Sequence, residues 1–143
     1  MEEAPWRTIP ELIEYSATTY GNHQALVDGE FQLSFTELKD EIYKSANALI
    51  ETGVTPGDRI GIWAPNTWEW VIAALGVHVA GGVLVPINTR FKGKEASYVI
   101  TKADISLLFT VTDFLETNYV KLLEGTDAET TLQEIIILKG NAE

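Results

Sequence analysis

Arg59-Ile60-Gly61-Ile62-Trp63, a helical stretch from about Thr67 to Ala80, and Val83-Leu84-Val85-Pro86-Ile87 decide the fold class. The first and last are short apolar runs, opened by Pro56-Gly57-Asp58 and Gly81-Gly82. Continuous apolar runs of that kind mark strands covered on both faces of a parallel sheet. Between them, Asn66 and Glu69 are spaced as a helix-capping pair. Trp68, Val71, Ile72, Leu75 and Val79 then recur on one side of the helix, and Trp70, Ala73, Ala74 and Val77 fill the other. An all-round apolar helix is expected to be buried on several sides. Strand, helix and strand within about 30 residues make one right-handed βαβ unit.

The alternation continues toward the C-terminus. A helix is expected near Lys94 to Lys102, a strand over Ser106-Leu107-Leu108-Phe109, and a helix near Asp113 to Leu123. A polar loop from Gly125 to Thr131 then precedes the β-branched strand Ile135-Ile136-Ile137-Leu138. Toward the N-terminus, Thr8 and Glu11 form a capping box with Pro10 in the first turn, and Gly21-Asn22 ends that helix. Ala25-Leu26-Val27 and Phe31-Gln32-Leu33 flank Asp28-Gly29-Glu30, the pattern of a β-hairpin. Ser34 and Glu37 open a second helix to about Thr52, with Leu38, Ile42, Ala46 and Leu49 on one face and Gly53 as its stop. The class is α/β: a mostly parallel sheet flanked by helices, plus a small N-terminal hairpin.

At 143 residues the chain allows one ordinary domain with a real core. Its 10 basic and 21 acidic side chains give a net charge of −11, which argues against a nucleic-acid partner, because tracking phosphates takes clustered Lys and Arg. The acidic excess is read as a solubility feature. No cysteine is present, which removes disulfides, thiolate metal sites and a cysteine nucleophile together. The acidic start Met1-Glu2-Glu3 lacks the layout of a signal peptide, and the apolar stretch from Val71 to Pro86 falls short of the roughly 20 residues a spanning helix needs. A cytoplasmic protein with no transmembrane segment is the expectation.

Complete catalytic patterns are missing. Lys92-Gly93-Lys94-Glu95 and Lys139-Gly140 lack the spacing and hydroxyl of a phosphate-gripping loop. Gly76, Gly81 and Gly82 sit late in or just after a helix, where close helix–strand packing is the commoner role, and not at a dinucleotide-binding turn. His23 and His78 have no local carboxylate partner. His78 reads as a core histidine and His23 as a surface one, so neither a metal site nor a catalytic residue is assigned. Trp68 and Trp70 are either core side chains or rings that stack on adenine or wall an apolar acid pocket. Asn88-Thr89-Arg90 follows the end of a parallel strand, where open α/β sheets bind ligands. Arg90 is therefore a candidate for an anionic group of a cofactor, and Asn88 and Trp68 are candidates for the substrate pocket. The alternative for Asn88 is a turn cap, and for Arg90 a solvated surface charge.

Pro56-Gly57-Asp58-Arg59-Ile60-Gly61-Ile62-Trp63-Ala64-Pro65-Asn66-Thr67-Trp68-Glu69-Trp70 resembles the N-terminal region of the adenylate-forming superfamily of acyl-CoA synthetases, luciferases and peptide-synthetase adenylation domains. Ala80-Gly81-Gly82-Val83-Leu84-Val85-Pro86-Ile87-Asn88 resembles its early core motif, and Leu33-Ser34-Phe35-Thr36-Glu37-Leu38 its upstream box. Glu95 to Phe109 resembles its helix-then-strand segment. The Asn66–Trp70 and Asn88–Phe91 variants are similar to bacterial acyl-CoA ligases of sterol-ring catabolism.

The resemblance implies a two-step ligase. A carboxylate attacks the α-phosphorus of ATP, with Mg²⁺, to give an acyl-adenylate and pyrophosphate; coenzyme A then displaces AMP to form a thioester. It also implies a partner, the remainder of a longer enzyme, because the family's Ser/Thr/Gly-rich phosphate loop and its later motifs are not found in residues 1–143. The expectation is a single N-terminal subdomain, inactive alone, that binds none of these cofactors tightly by itself. Self-association through exposed apolar surface is expected too. The alternative is a free-standing α/β binding or interaction module without catalysis. A small independent nucleotide-binding domain is disfavoured by the missing glycine loop.

Overall fold

The computed structural model describes residues 4–140; the acidic start Met1-Glu2-Glu3 lies outside the described residues. In chain order the elements are α1 (Ile9–Tyr20), β1 (Gln24–Asp28), β2 (Phe31–Ser34), α2 (Phe35–Glu51), β3 (Arg59–Trp63), α3 (Trp68–Val79), β4 (Val83–Pro86), α4 (Gly93–Ala103) and β5 (Leu107–Val111). A 3-10 turn (Lys121–Leu123), α5 (Ala128–Thr131) and β6 (Glu134–Lys139) complete the chain. They fall into two compact units, Met1–Thr55 with Thr67–Gly81, and Pro56–Asn66 with Gly82–Glu143.

In the first unit, α1 and α2 start at the two predicted capping boxes. The Thr8 hydroxyl accepts the Glu11 N–H at 3.3 Å, and the Ser34 hydroxyl accepts the Glu37 N–H at 3.2 Å. The Glu37 carboxylate reaches back to the Ser34 N–H at 2.8 Å, which holds its pKa below the usual carboxylate value. The hairpin forms as expected, with Gly29 supplying a positive φ of 59° at its turn. α2 buries Ile42, Ala46 and Leu49 on the predicted face.

α3 differs from expectation at its start. Thr67 is the N-cap residue, its side chain makes no capping bond, and neither Asn66 nor Glu69 forms a capping pair. The Asp28 carboxylate, delivered by the hairpin, instead accepts the Trp68 N–H at 3.0 Å. A carboxylate at the positive end of a helix does the work of a local cap, and a contact 40 positions away carries no local signal. Ile72, Ala73, Ala74, Gly76 and Val77 are buried, as an all-round apolar helix requires. Gly76 serves helix–helix packing, not helix–strand packing: a Cβ there would lie 2.4 Å from the Ser45 hydroxyl of α2.

The second unit carries a four-stranded, wholly parallel sheet in the order β4-β3-β5-β6. Ile60, Ile62, Trp63 and Leu108 on the two central strands are buried. β4 was expected to be covered, but it is an edge strand whose Val83 is 49% exposed. Its Pro86 suits an edge, where a missing N–H breaks no ladder. β5 starts one residue later and ends two residues later than the sequence predicts.

Two downstream expectations fail. No α-helix spans Asp113 to Leu123: Phe114 and Thr117 form an isolated antiparallel bridge around Leu115 (φ 52°) and Glu116 (φ 58°), and only the 3-10 turn follows. Two left-handed residues in succession cannot sit in a right-handed helix. The stretch read as a loop from Gly125 to Thr131 holds the short helix α5, whose Ala128 N–H is taken by the Ser97 hydroxyl at 3.1 Å. The α/β class stands, with a parallel sheet, flanking helices and a separate antiparallel hairpin. Among the described residues, no helix is long and apolar enough to cross a membrane.

Candidate functional site

The carboxyl ends of β3, β4 and β5 lie at one end of the parallel sheet, where open α/β sheets form their ligand crevices. The chain leaving β4 there is held by two aromatic side chains. The Trp63 indole N–H, at the end of β3, donates to the Asn88 carbonyl at 3.0 Å, and the Tyr119 hydroxyl donates to the Thr89 carbonyl at 2.9 Å. The two rings meet edge to face at a centroid distance of 4.5 Å, a favourable arrangement of ring quadrupoles. Trp63 is fully buried and Tyr119 is 3% exposed. Burial pushes the Tyr119 phenol pKa above its usual value. The buried Thr110 hydroxyl donates to the Trp63 carbonyl at 2.9 Å, so the β3 end is held through its backbone as well as its side chain.

This clamp presents the segment 88–90. The Asn88 side-chain oxygen accepts the Arg90 N–H at 2.9 Å, closing a turn in which both side chains are exposed. The Arg90 guanidinium makes no ion pair among the described residues. In a chain of net charge −11, an unpaired guanidinium beside a strand end suits an anionic group such as a phosphate. Nothing comparable exists for a metal: among the described residues no three His, Asp or Glu side chains converge. The described residues thus offer no ready-made cage of protein ligands for a metal ion.

Of the candidates read from sequence, the structure brings Asn88 and Arg90 together. Trp68 belongs to the other unit, where it is half-buried and stacks on Phe31 at a centroid distance of 4.0 Å. His23 is exposed, with its Nδ1 2.6 Å from the Tyr20 carbonyl, and His78 is half-buried on α3. Sequence reasoning missed Trp63 and Tyr119. An indole closing a buried strand was a usable signal for the first; the second was hidden in a segment read as helix.

Residues 13–143 match the family model described as AMP-binding enzyme. The chain is 41% identical, over 76% of its own length and 22% of the relative's, to the 3-[(3aS,4S,7aS)-7a-methyl-1,5-dioxo-octahydro-1H-inden-4-yl]propanoyl:CoA ligase of Mycobacterium tuberculosis. It is 37% identical to the ligase of the same name from Rhodococcus jostii, over 95% of the chain and 26% of that protein. The chain thus spans about a quarter of the length of these relatives. Among solved structures, the N-terminal domain of FACL13 from Mycobacterium tuberculosis superposes with a TM-score of 0.84 at 21% identity, covering 94% of this chain and 34% of that one, a likeness of fold. Motif order, sheet topology and family match agree, and the chain belongs to the AMP-binding enzyme family.

Proposed function

We propose that this chain forms a single N-terminal subdomain of an ATP-dependent acyl-CoA ligase, cytoplasmic in location, joining a carboxylic acid to coenzyme A with release of AMP and pyrophosphate. The observation that carries the reading is the family match over residues 13–143, which takes in the second unit's sheet and the clamped segment 88–90. In this reading the chain supplies scaffold. Arg90, held out by the Trp63–Tyr119 clamp, meets an anionic group of ATP or coenzyme A, while Asn88 contributes to the wall of the acid pocket; Trp68 is proposed as a pocket residue within its own unit. Because the adenylate formed in the first step is reactive, apolar wall residues also serve to keep water from it.

Catalytic groups come from the remainder of the enzyme in this account, as does the metal site. The test is pyrophosphate release from ATP with Mg²⁺, coenzyme A and a panel of carboxylic acids, beginning with bicyclic propionates. The chain alone is expected to stay at background. In the assembled ligase, Arg90→Ala is expected to raise the KM for ATP or coenzyme A while leaving the acid's KM unchanged. An equal effect on all three substrates would remove Arg90 from the proposed role.

A further inference from the structure

α4 turns a face of hydrogen-bond donors toward a groove. Lys94, Ser97, Tyr98, Thr101 and Lys102 recur at spacings of three and four, which places them on one side of the helix. Together with the turn that holds Thr126 and Asp127 they line a cavity of about 620 Å³, within the range of small-molecule sites. The whole lining falls between residues 94 and 127 of the second unit. It uses no residue of the segment 88–90 or its clamp.

The groove runs against the charge of the chain. Its lining carries two ammonium groups and one carboxylate, whereas the net charge of the chain is −11. Neither lysine has an ion-pair partner among the described residues. Lys102 is held in place: its Nζ donates to the Tyr98 hydroxyl at 2.9 Å and stands 5.3 Å from the centre of that ring. Ser97 is only 5% exposed. Its Oγ accepts the Ala128 N–H at 3.1 Å, and its own proton has no acceptor among the described residues. A spare donor on a buried hydroxyl calls for an acceptor from outside the chain.

We propose that this groove binds a phosphate or diphosphate group carried by a small molecule. Lysine meets phosphate as a point charge, and hydroxyl donors suit a group whose oxygens accept from several directions. A carboxylate is matched best by the planar fork of arginine, and no arginine lines the groove. Eight residues separate Lys94 from Lys102, about 12 Å of helix rise, so the two charges flank Ser97 and Thr101 from either end. Asp127 opposes the anion from the facing wall. The inference does not depend on the ligase reading.

Inorganic pyrophosphate is the test ligand, and ADP offers the same group on a nucleoside. Acetylation of individual lysines, read by mass spectrometry, is followed with and without pyrophosphate. It is run on the chain and on a ligase in which the chain replaces the matching part of the Rhodococcus jostii enzyme. Lys94 and Lys102 are expected to be protected in both proteins, and the exposed Lys121, outside the groove, in neither. Calorimetry on the chain is expected to show K94A and K102A each weakening pyrophosphate binding about tenfold, and D127N tightening it about threefold. All three residues are exposed, so these changes leave the fold intact. Tighter binding of ADP than of pyrophosphate would assign the group to a nucleotide, and equal binding to the free anion; both support the site. No binding by the chain, equal protection at Lys121, groove lysines that pyrophosphate does not protect in the ligase, or a D127N variant that binds no tighter would each overturn the inference.

Discussion

The Asp28 carboxylate accepts the Trp68 backbone N–H at 3.0 Å, so a residue at the tip of the hairpin caps a helix 40 positions away. Phe31 adds a stacked contact on the Trp68 ring, tilted by only 21°. Hairpin and α3 are thereby coupled within the first unit. Asp28→Ala is expected to cost about 0.5–2 kcal/mol of stability, and Asp28→Asn less, since the amide oxygen still accepts. Urea unfolding of the two variants checks this; equal losses would mean that the contact is not acting as a cap.

Gly76 and Gly93 are required by close approach, not by backbone conformation. At Gly93, a Cβ would lie 1.7 Å from the Leu122 carbonyl oxygen, which is backbone and cannot rotate away. Gly93→Ala is therefore expected to cost at least about 2 kcal/mol, toward the upper part of the range for overpacking. Gly76→Ala meets the Ser45 side chain, with Oγ at 2.4 Å and Cβ at 2.8 Å. Adding Ser45→Gly removes both atoms, so the double variant should recover part of the packing loss, less the glycine's own helix cost of about 1 kcal/mol. A thermal-melt double-mutant cycle with no coupling between the two sites would contradict the contact.

Two phenols link stability to alkaline pH. The Tyr43 pKa is raised above 10.0, first by its hydrogen bond to Glu14, and that of Tyr119 is raised by burial. In both cases the fold holds the proton more tightly than the unfolded chain does. Their contribution is fully present below the unfolded value and is lost as pH rises through the folded one. Stability should fall from about pH 10 upward. Tyr43→Phe/Tyr119→Phe should flatten that fall, read as urea midpoints at pH 8, 10 and 11; an unchanged slope would assign it to other groups.

The clamp on segment 88–90 has its own signature. Tyr119→Phe keeps the ring against Trp63 but removes the hydrogen bond to the Thr89 carbonyl. The expected loss is about 1 kcal/mol. Amide exchange should quicken at Thr89 and Arg90 while the β3 and β5 amides stay protected. Uniform acceleration would mean that Tyr119 supports the sheet and not the segment.

Where the sequence could be read, a local rule applied. Thr8/Glu11 and Ser34/Glu37 announce helices because a capping box closes within one turn, and the apolar runs that hold Ile60, Ile62 and Leu108 announce strands, though not their place in the sheet, since the equally apolar β4 lies at an edge. Failure came where a distant group replaced the local one. Asp28 took the capping role assigned to Asn66 and Glu69, and the left-handed Leu115-Glu116 pair broke the helix expected near Asp113 to Leu123. The candidate site follows the same division. Asn88 and Arg90 were legible because they follow a strand, whereas Tyr119 reaches Thr89 from 30 positions away and only the folded chain shows it.

The most direct test of the central claim replaces the matching quarter of the Rhodococcus jostii ligase with this chain and measures acid-dependent pyrophosphate release by the chimera and by the chain alone. The account predicts release by the chimera, reduced by Arg90→Ala, and background from the chain. Acid-dependent release by the chain alone, or a folded chimera that stays silent with every acid offered, would contradict it.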